Sequence, residues 1–108
     1  MFARVSSGIA REGKLDELVQ LANDTMAPRA LEQEGCKGML LLTHAGTGRA
    51  IAISLWETKG AMLASESSDY MRDQVARVGE LLEEAGPSQT SYRVSGSWLR
   101  SAAAEVGR

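Results

Sequence analysis

Apolar residues recur with two different periods along this chain, and the places where the period changes mark its elements. Residues 2–9 (Phe-Ala-Arg-Val-Ser-Ser-Gly-Ile) read as a first strand, broken by Arg11-Glu12-Gly13-Lys14. Leu15, Leu18, Val19, Ala22, Met26 and Ala30 then return at three- and four-residue spacing, one apolar face of a helix. Pro28 falls late in that segment and predicts a kink or a split into two pieces, because it removes a backbone donor. Glu34-Gly35 ends the element. Two apolar runs around Gly46-Thr47-Gly48 predict a hairpin with strands at about 36–44 and 49–57. Thr58 opens a second helical region, which Ser67-Ser68-Asp69 interrupts with N-cap chemistry. A longer helix is expected from Asp69 to Glu84, with Tyr70, Met71, Gln74, Val75, Val78, Leu81 and Leu82 on its buried side, stopped by Gly86-Pro87. Residues 89–96, with Tyr92 and Val94, read as a fourth strand. The tail from Trp98 is short and Ala-rich, either a frayed helix or an arm.

Strand, helix, strand, strand, helix, strand is the split βαβ order of a ferredoxin-like α+β sandwich, with the helices on one face of a four-stranded antiparallel sheet. The expected domain spans residues 1–97 and the tail residues 98–108. Neither strand of the hairpin has a clean polar side, whereas a sheet wetted on one face normally alternates. A turn of two or four residues sorts the side chains into the same two sets. One face carries Leu40, Leu42, Ile51, Ile53 and Leu55; the other carries Met39, Leu41, Thr43, Ala50, Ala52, Ser54 and Trp56. The first set is bulky and dry, and the helices of so short a chain cover only one face. We therefore expect the first set to meet a second copy of the chain, giving a homodimer joined through its sheets. The second set has small residues beside one large aromatic, which leaves either close helix packing or a pocket.

Composition narrows the classes. The chain has 108 residues, a hydrophobic fraction of 44% and a formal net charge of -2, with the two signs interspersed. That fits one folded domain and argues against nucleic-acid binding, since no basic stripe is present. No apolar run reaches the roughly 18 residues of a membrane helix, and no signal-peptide pattern opens the chain. The expectation is a cytoplasmic protein with no membrane association. One cysteine, Cys36, and one histidine, His44, give no zinc-site spacing, and no metal site is expected. Gly46-Thr47-Gly48 is followed by a strand, so it reads as a turn and not as a phosphate loop.

Glu34-Gly35-Cys36-Lys37-Gly38 ahead of the second strand, and Ser54-Leu55-Trp56-Glu57 closing the third, together with the element order, resemble the antibiotic-biosynthesis-monooxygenase-like family. The resemblance runs over about residues 2–95. It implies a dimeric α+β barrel in which each subunit keeps a pocket between sheet and helices. Some members of the family oxygenate aromatic polyketides without metal or flavin: an electron-rich phenol or anthrone loses a proton and passes an electron to oxygen. The resemblance therefore implies a cofactor-independent monooxygenase acting on a small aromatic or polyketide-like substrate. Trp56 matches a strand tryptophan of that pattern and Arg77 falls near its helix arginine. Ala52 stands where the pattern has an asparagine, and Met62 where it has a tyrosine. The haem-degrading relatives match less well, because Ser65 and Val75 stand where their tryptophan and histidine fall.

The pocket candidates are Trp56, Tyr70, Arg77, Ser54 and Ala52. Each also has a plainer reading. Trp56 can serve as core bulk, Arg77 as a solvated ion-pair partner of Asp73, Glu80 or Glu84, and Tyr70 as a half-buried tyrosine. His44 is a possible general base but sits beside the hairpin tip. Two further functions stay open. One is a non-catalytic dimer that binds a small hydrophobic molecule. The other is an isomerase or cyclase that works by proton transfer.

Overall fold

A computed structural model of the chain describes residues 1–83 and 88–100. Four strands form one sheet: β1 (Phe2–Ile9), β2 (Cys36–His44), β3 (Arg49–Trp56) and β4 (Ser88–Arg93), in the order β2-β3-β1-β4 with every neighbouring pair antiparallel. The helices are α1 (Leu15–Leu21), a π-helical segment (Ala22–Met26), α2 (Ala27–Glu32), α3 (Lys59–Glu66) and α4 (Asp69–Gly79). β1 and β2 run parallel with β3 between them, and β3 and β4 run parallel with β1 between them. These are two interleaved βαβ units, the ferredoxin-like α+β sandwich. Among the described residues, no helix is long and apolar enough to cross a membrane.

The hairpin pairs His44 with Arg49, Leu42 with Ile51 and Leu40 with Ile53. Its turn therefore has four residues, closed by Gly48 N–H donating to the His44 carbonyl at 2.8 Å with Gly48 at φ +78. Pairing in this register places Leu40, Leu42, Ile51, Ile53 and Leu55 on one face, together with Ala3 and Val5 of β1. Among the described residues, no helix covers that face: Leu40 is 55% exposed and Leu42 48%, with the two isoleucines and Leu55 half-buried. The opposite face receives the helices. The core there joins Ala10, Leu18, Ala50, Leu81 and Leu82.

Pro28 stands at the start of α2, where the first helical stretch divides into two α-helical pieces joined by the π-helical segment. The Ala27 N–H donates to the Ala22 carbonyl five residues back, and this wider turn takes up the proline at the start of α2. The last helix ends at Gly79 and not near Glu84. Beyond it, Arg11 N–H donates to the Leu81 carbonyl and Glu83 N–H to the Ile9 carbonyl, both at 2.8 Å, and Leu82 bridges to Ala10. Extending the edge of β1 and burying Leu82 wins over another helical turn, which glycine favours little. The fourth strand spans Ser88–Arg93, earlier than expected. Gly86-Pro87, Glu84 and residues 101–108 of the tail lie outside the described residues. Ser68 caps α4 by accepting from the Met71 N–H at 3.3 Å, and Thr58 caps α3 by accepting from the Ala61 N–H at 3.0 Å.

Gly35 links α2 to β2 at φ +83, and a Cβ there would lie 2.5 Å from the Ala61 Cβ of α3. Its carbonyl accepts from the Glu57 N–H at 2.7 Å. Backbone geometry and space both demand glycine. Gly35→Ala is expected to destabilise the fold by about 1–3 kcal/mol, read as a lower denaturant midpoint with unchanged slope.

Candidate functional site

Alternation along the strands decides what faces the helices. Arg4, Ser6 and Gly8 of β1 and Ala50, Ala52 and Ser54 of β3 form a floor of mostly small side chains. Leu18 and Ala22 with Met26 form one wall above it, and Tyr70, Gln74 and Val78 of α4 form another. The small floor leaves a hollow of about 90 Å³ between sheet and helices. A single water needs only about 10–15 Å³ on that measure, so the space suits a compact organic molecule. Its lining is mainly apolar. Among the described lining residues there is no carboxylate and no imidazole.

The charge at this site comes from Arg4, which is 4% exposed. Its Nη1 donates to Ser65 Oγ at 2.9 Å and to the Met62 carbonyl at 3.3 Å, and lies 3.5 Å from Glu66 Oε2. The guanidinium carbon sits 5.2 Å from the centroid of Trp56, a cation–π contact. Ser65 Oγ in turn donates to the Met62 carbonyl at 2.7 Å. The end of α3 thus holds a buried cation whose carboxylate partner is partly solvated. Full neutralisation of a desolvated guanidinium would need a closer acid.

Tyr70, 7% exposed, lines the hollow on the α4 side. Burial pushes its hydroxyl above the usual tyrosine range, against the lowering influence of Arg4 and Arg29. It therefore stays protonated at neutral pH and is available as a donor. Arg29 lies 5.7 Å from the Tyr70 centroid and donates to Asp73 Oδ2 at 2.5 Å, tying α2 to α4. That hydrogen bond, with help from Arg77, holds the Asp73 carboxyl below its ordinary range.

The expected site residues separate into three places. Ser54, Ala52 and Tyr70 line the hollow. Trp56 is fully buried behind it, with Nε1 donating to Ser54 Oγ at 2.9 Å, so it orients a lining hydroxyl and supports Arg4. Arg77 lies outside, its half-exposed side chain 3.6 Å from Asp73. His44 is exposed on the hairpin tip, where its Nδ1 accepts from the Thr47 N–H at 3.2 Å. Arg4 and Gln74 are among the lining residues and had no assigned role in the sequence reading. The signal for Arg4 was a lone charge on the same strand parity as Ser6 and Gly8. The signal for Gln74 was an amide on an otherwise apolar helix face.

A family model described as antibiotic biosynthesis monooxygenase matches residues 1–77. An uncharacterized protein of Mycobacterium tuberculosis is 33% identical over 120 residues, taking in 100% of this chain and 51% of its own length. A second uncharacterized protein of that organism is 34% identical over 79 residues, 72% of this chain and 35% of its own length. The chain spans about half the length of the first of these relatives, or less of the second. Among solved structures, a candidate antibiotic biosynthesis monooxygenase from Deinococcus radiodurans superposes with a TM-score of 0.76 at 17% identity, covering 93% of this chain and 98% of that one. Another from Nitrosomonas europaea gives 0.74 at 12% identity, covering 89% and 100%. At such identities these two share the fold. The match over residues 1–77, more than half of the chain, carries the assignment: this protein belongs to the antibiotic biosynthesis monooxygenase family.

Proposed function

We propose that this protein is a cofactor-independent monooxygenase for a small aromatic or polyketide-like substrate held between sheet and helices. The observation that carries the reading is a buried guanidinium, Arg4, at the wall of a mainly apolar hollow in a chain of this family. For an anthrone-type substrate the overall change converts a ring methylene and molecular oxygen into a ring ketone and water. The substrate loses a proton, and its anion passes an electron to oxygen. One oxygen atom becomes bonded to carbon, and the other leaves in water with the two methylene hydrogens. All the electrons come from the substrate. The protein's part is orientation, exclusion of water and stabilisation of the anion by Arg4 and the Tyr70 hydroxyl. With no carboxylate or imidazole in the described lining, the proton must leave a substrate that is itself appreciably acidic.

A second reading, a non-catalytic binder of small hydrophobic molecules, is favoured by Ala52 and the buried Met62, which stand where the oxygenase pattern has polar side chains. The deciding measurement is oxygen uptake by metal-free protein with anthrones and hydroquinones. Uptake should rise with pH along the substrate's own ionisation. It should fall at least about tenfold in Arg4→Gln and in Tyr70→Phe, with Arg4→Lys intermediate. Wild-type uptake no faster than that of Arg4→Gln across the panel overturns the oxygenase. Binding without turnover then leaves the binder, and product formed under nitrogen indicates an isomerase or cyclase.

We also propose that two copies join through their open sheet faces, in keeping with the exposed Leu40 and Leu42. Each such side chain contributes about 1.5–3 kcal/mol when taken fully out of water. Leu40→Glu combined with Ile53→Glu should halve the mass seen by sedimentation at micromolar concentration while leaving the far-ultraviolet dichroism unchanged. A wild-type chain that already sediments as one copy rules the pairing out.

A further inference from the structure

Arg4 is tethered through one nitrogen. Among the described residues, Nη1 makes every hydrogen bond of this side chain: to Ser65 Oγ, to the Met62 carbonyl and, at 3.5 Å, to Glu66 Oε2. Nε and Nη2 have no acceptor among those residues. Neither is sealed away, because the one fully enclosed, unpaired side-chain polar atom among the described residues is Gln74 Oε1. Arg4 as a whole is buried and borders the hollow, so the hollow is the open space these two nitrogens meet. Their hydrogens lie parallel and coplanar along one edge of the guanidinium, the edge that engages two oxygens at once. The Tyr70 hydroxyl, on the α4 wall, likewise has no hydrogen bond among the described residues and is not sealed away. Ser54, paired with Arg4 across β1 and β3, accepts from Trp56 Nε1, which leaves its own hydrogen without an acceptor among the described residues. The described lining thus has donors to spare and no carboxylate to receive them.

We propose that the hollow takes its ligand as an anion with two neighbouring coplanar oxygens that share one negative charge, received on the Nε–Nη2 edge of Arg4 with the Tyr70 hydroxyl as a further donor. Two kinds of molecule carry that pair on a compact aromatic body: a carboxylate, and the anion of an acidic hydroxy-ketone. A neutral analogue of either offers a weaker acceptor and leaves a guanidinium hydrogen stranded out of water, so the site rejects it. This inference rests on the hollow being the binding site; it names the class of molecule bound there and does not depend on oxygen chemistry.

Calorimetric titration of the full chain at neutral pH tests it with two pairs of probes: 1-naphthoate against 1-naphthamide, and the anion of 2-hydroxy-1,4-naphthoquinone against its methyl ether. The parent should bind the anion at least about tenfold more tightly than the neutral partner in one pair or both. Preference in the first pair identifies the carboxylate, and preference in the second the hydroxy-ketone. Arg4→Lys keeps the charge but not the paired edge. It should bring the preference to within about threefold while still binding the neutral probes, which shows that the hollow is intact. Tyr70→Phe should lower the affinity for the anion by about threefold or more and leave that for its neutral partner unchanged. Equal binding within both pairs by the parent overturns the proposal, as does a preference that Arg4→Lys leaves in full. If the parent binds none of the four probes, the hollow is not the binding site and the proposal falls with it. A missing preference leaves the oxygen-uptake test standing, whereas a preference without oxygen uptake removes only the oxygenase.

Discussion

A β-strand sends successive side chains to opposite sides, so one register decides what each face of the sheet can do. Here the pairing of His44 with Arg49 makes that decision. It places Leu40, Leu42, Ile51, Ile53 and Leu55 together on the open side and Ala50, Ala52 and Ser54 beneath the helices. A slip by one residue would set large aliphatic side chains under α4 and fill the hollow. It would also leave the open side with little apolar surface. Internal space and an apolar outer face are thus two results of one pairing, and neither can be altered through the hairpin without the other.

Arg4 shows how the covered face tolerates a charge. A guanidinium taken out of water is costly unless its hydrogens are matched. Ser65 and the Met62 carbonyl accept from one nitrogen, and the Trp56 ring provides a polarisable surface. These contacts fasten the end of α3 to β1 across 61 residues of sequence between Arg4 and Ser65. Trp56 is held through Ser54, so it acts through its neighbours and not by lining the space itself. Arg29 has a parallel role at Tyr70, where it stacks on the ring and reaches Asp73 on the same helix.

The strands of the hairpin, the two helix caps and the sorting of side chains onto faces were legible in the sequence, because they follow from alternation, from Gly-Thr-Gly and from Thr58 and Ser68. The site was legible only in part. Ser54, Ala52 and Tyr70 could be placed because their faces follow from period. Arg4 could not, since parity alone does not tell which side of an N-terminal strand meets the helices. Gln74 was placed on a buried face, but a missing hydrogen-bond partner is a fact of three-dimensional surroundings. The end of α4 was misjudged because Leu81 and Leu82 continue a helical spacing. Bonds to Ile9 and Arg11, about 70 residues away in the chain, draw them into an extended course instead.

The π-helical segment before Pro28 acts as a phase corrector. Leu18, Ala22, Met26 and Ala30 recur at steps of four, and on an ideal α-helix each such step drifts by about 40°. Three steps would carry Ala30 well off the sheet. The wider turn at Ala22–Met26 absorbs that drift, so Ala30 is fully buried while Leu31 next to it is 57% exposed. The same correction aims Arg29 at Tyr70 and Asp73. An irregularity that looks like an accommodation of proline therefore acts as the angular setting of a clamp between two helices, and it couples the winding of one helix to the electrostatics of a phenol on another.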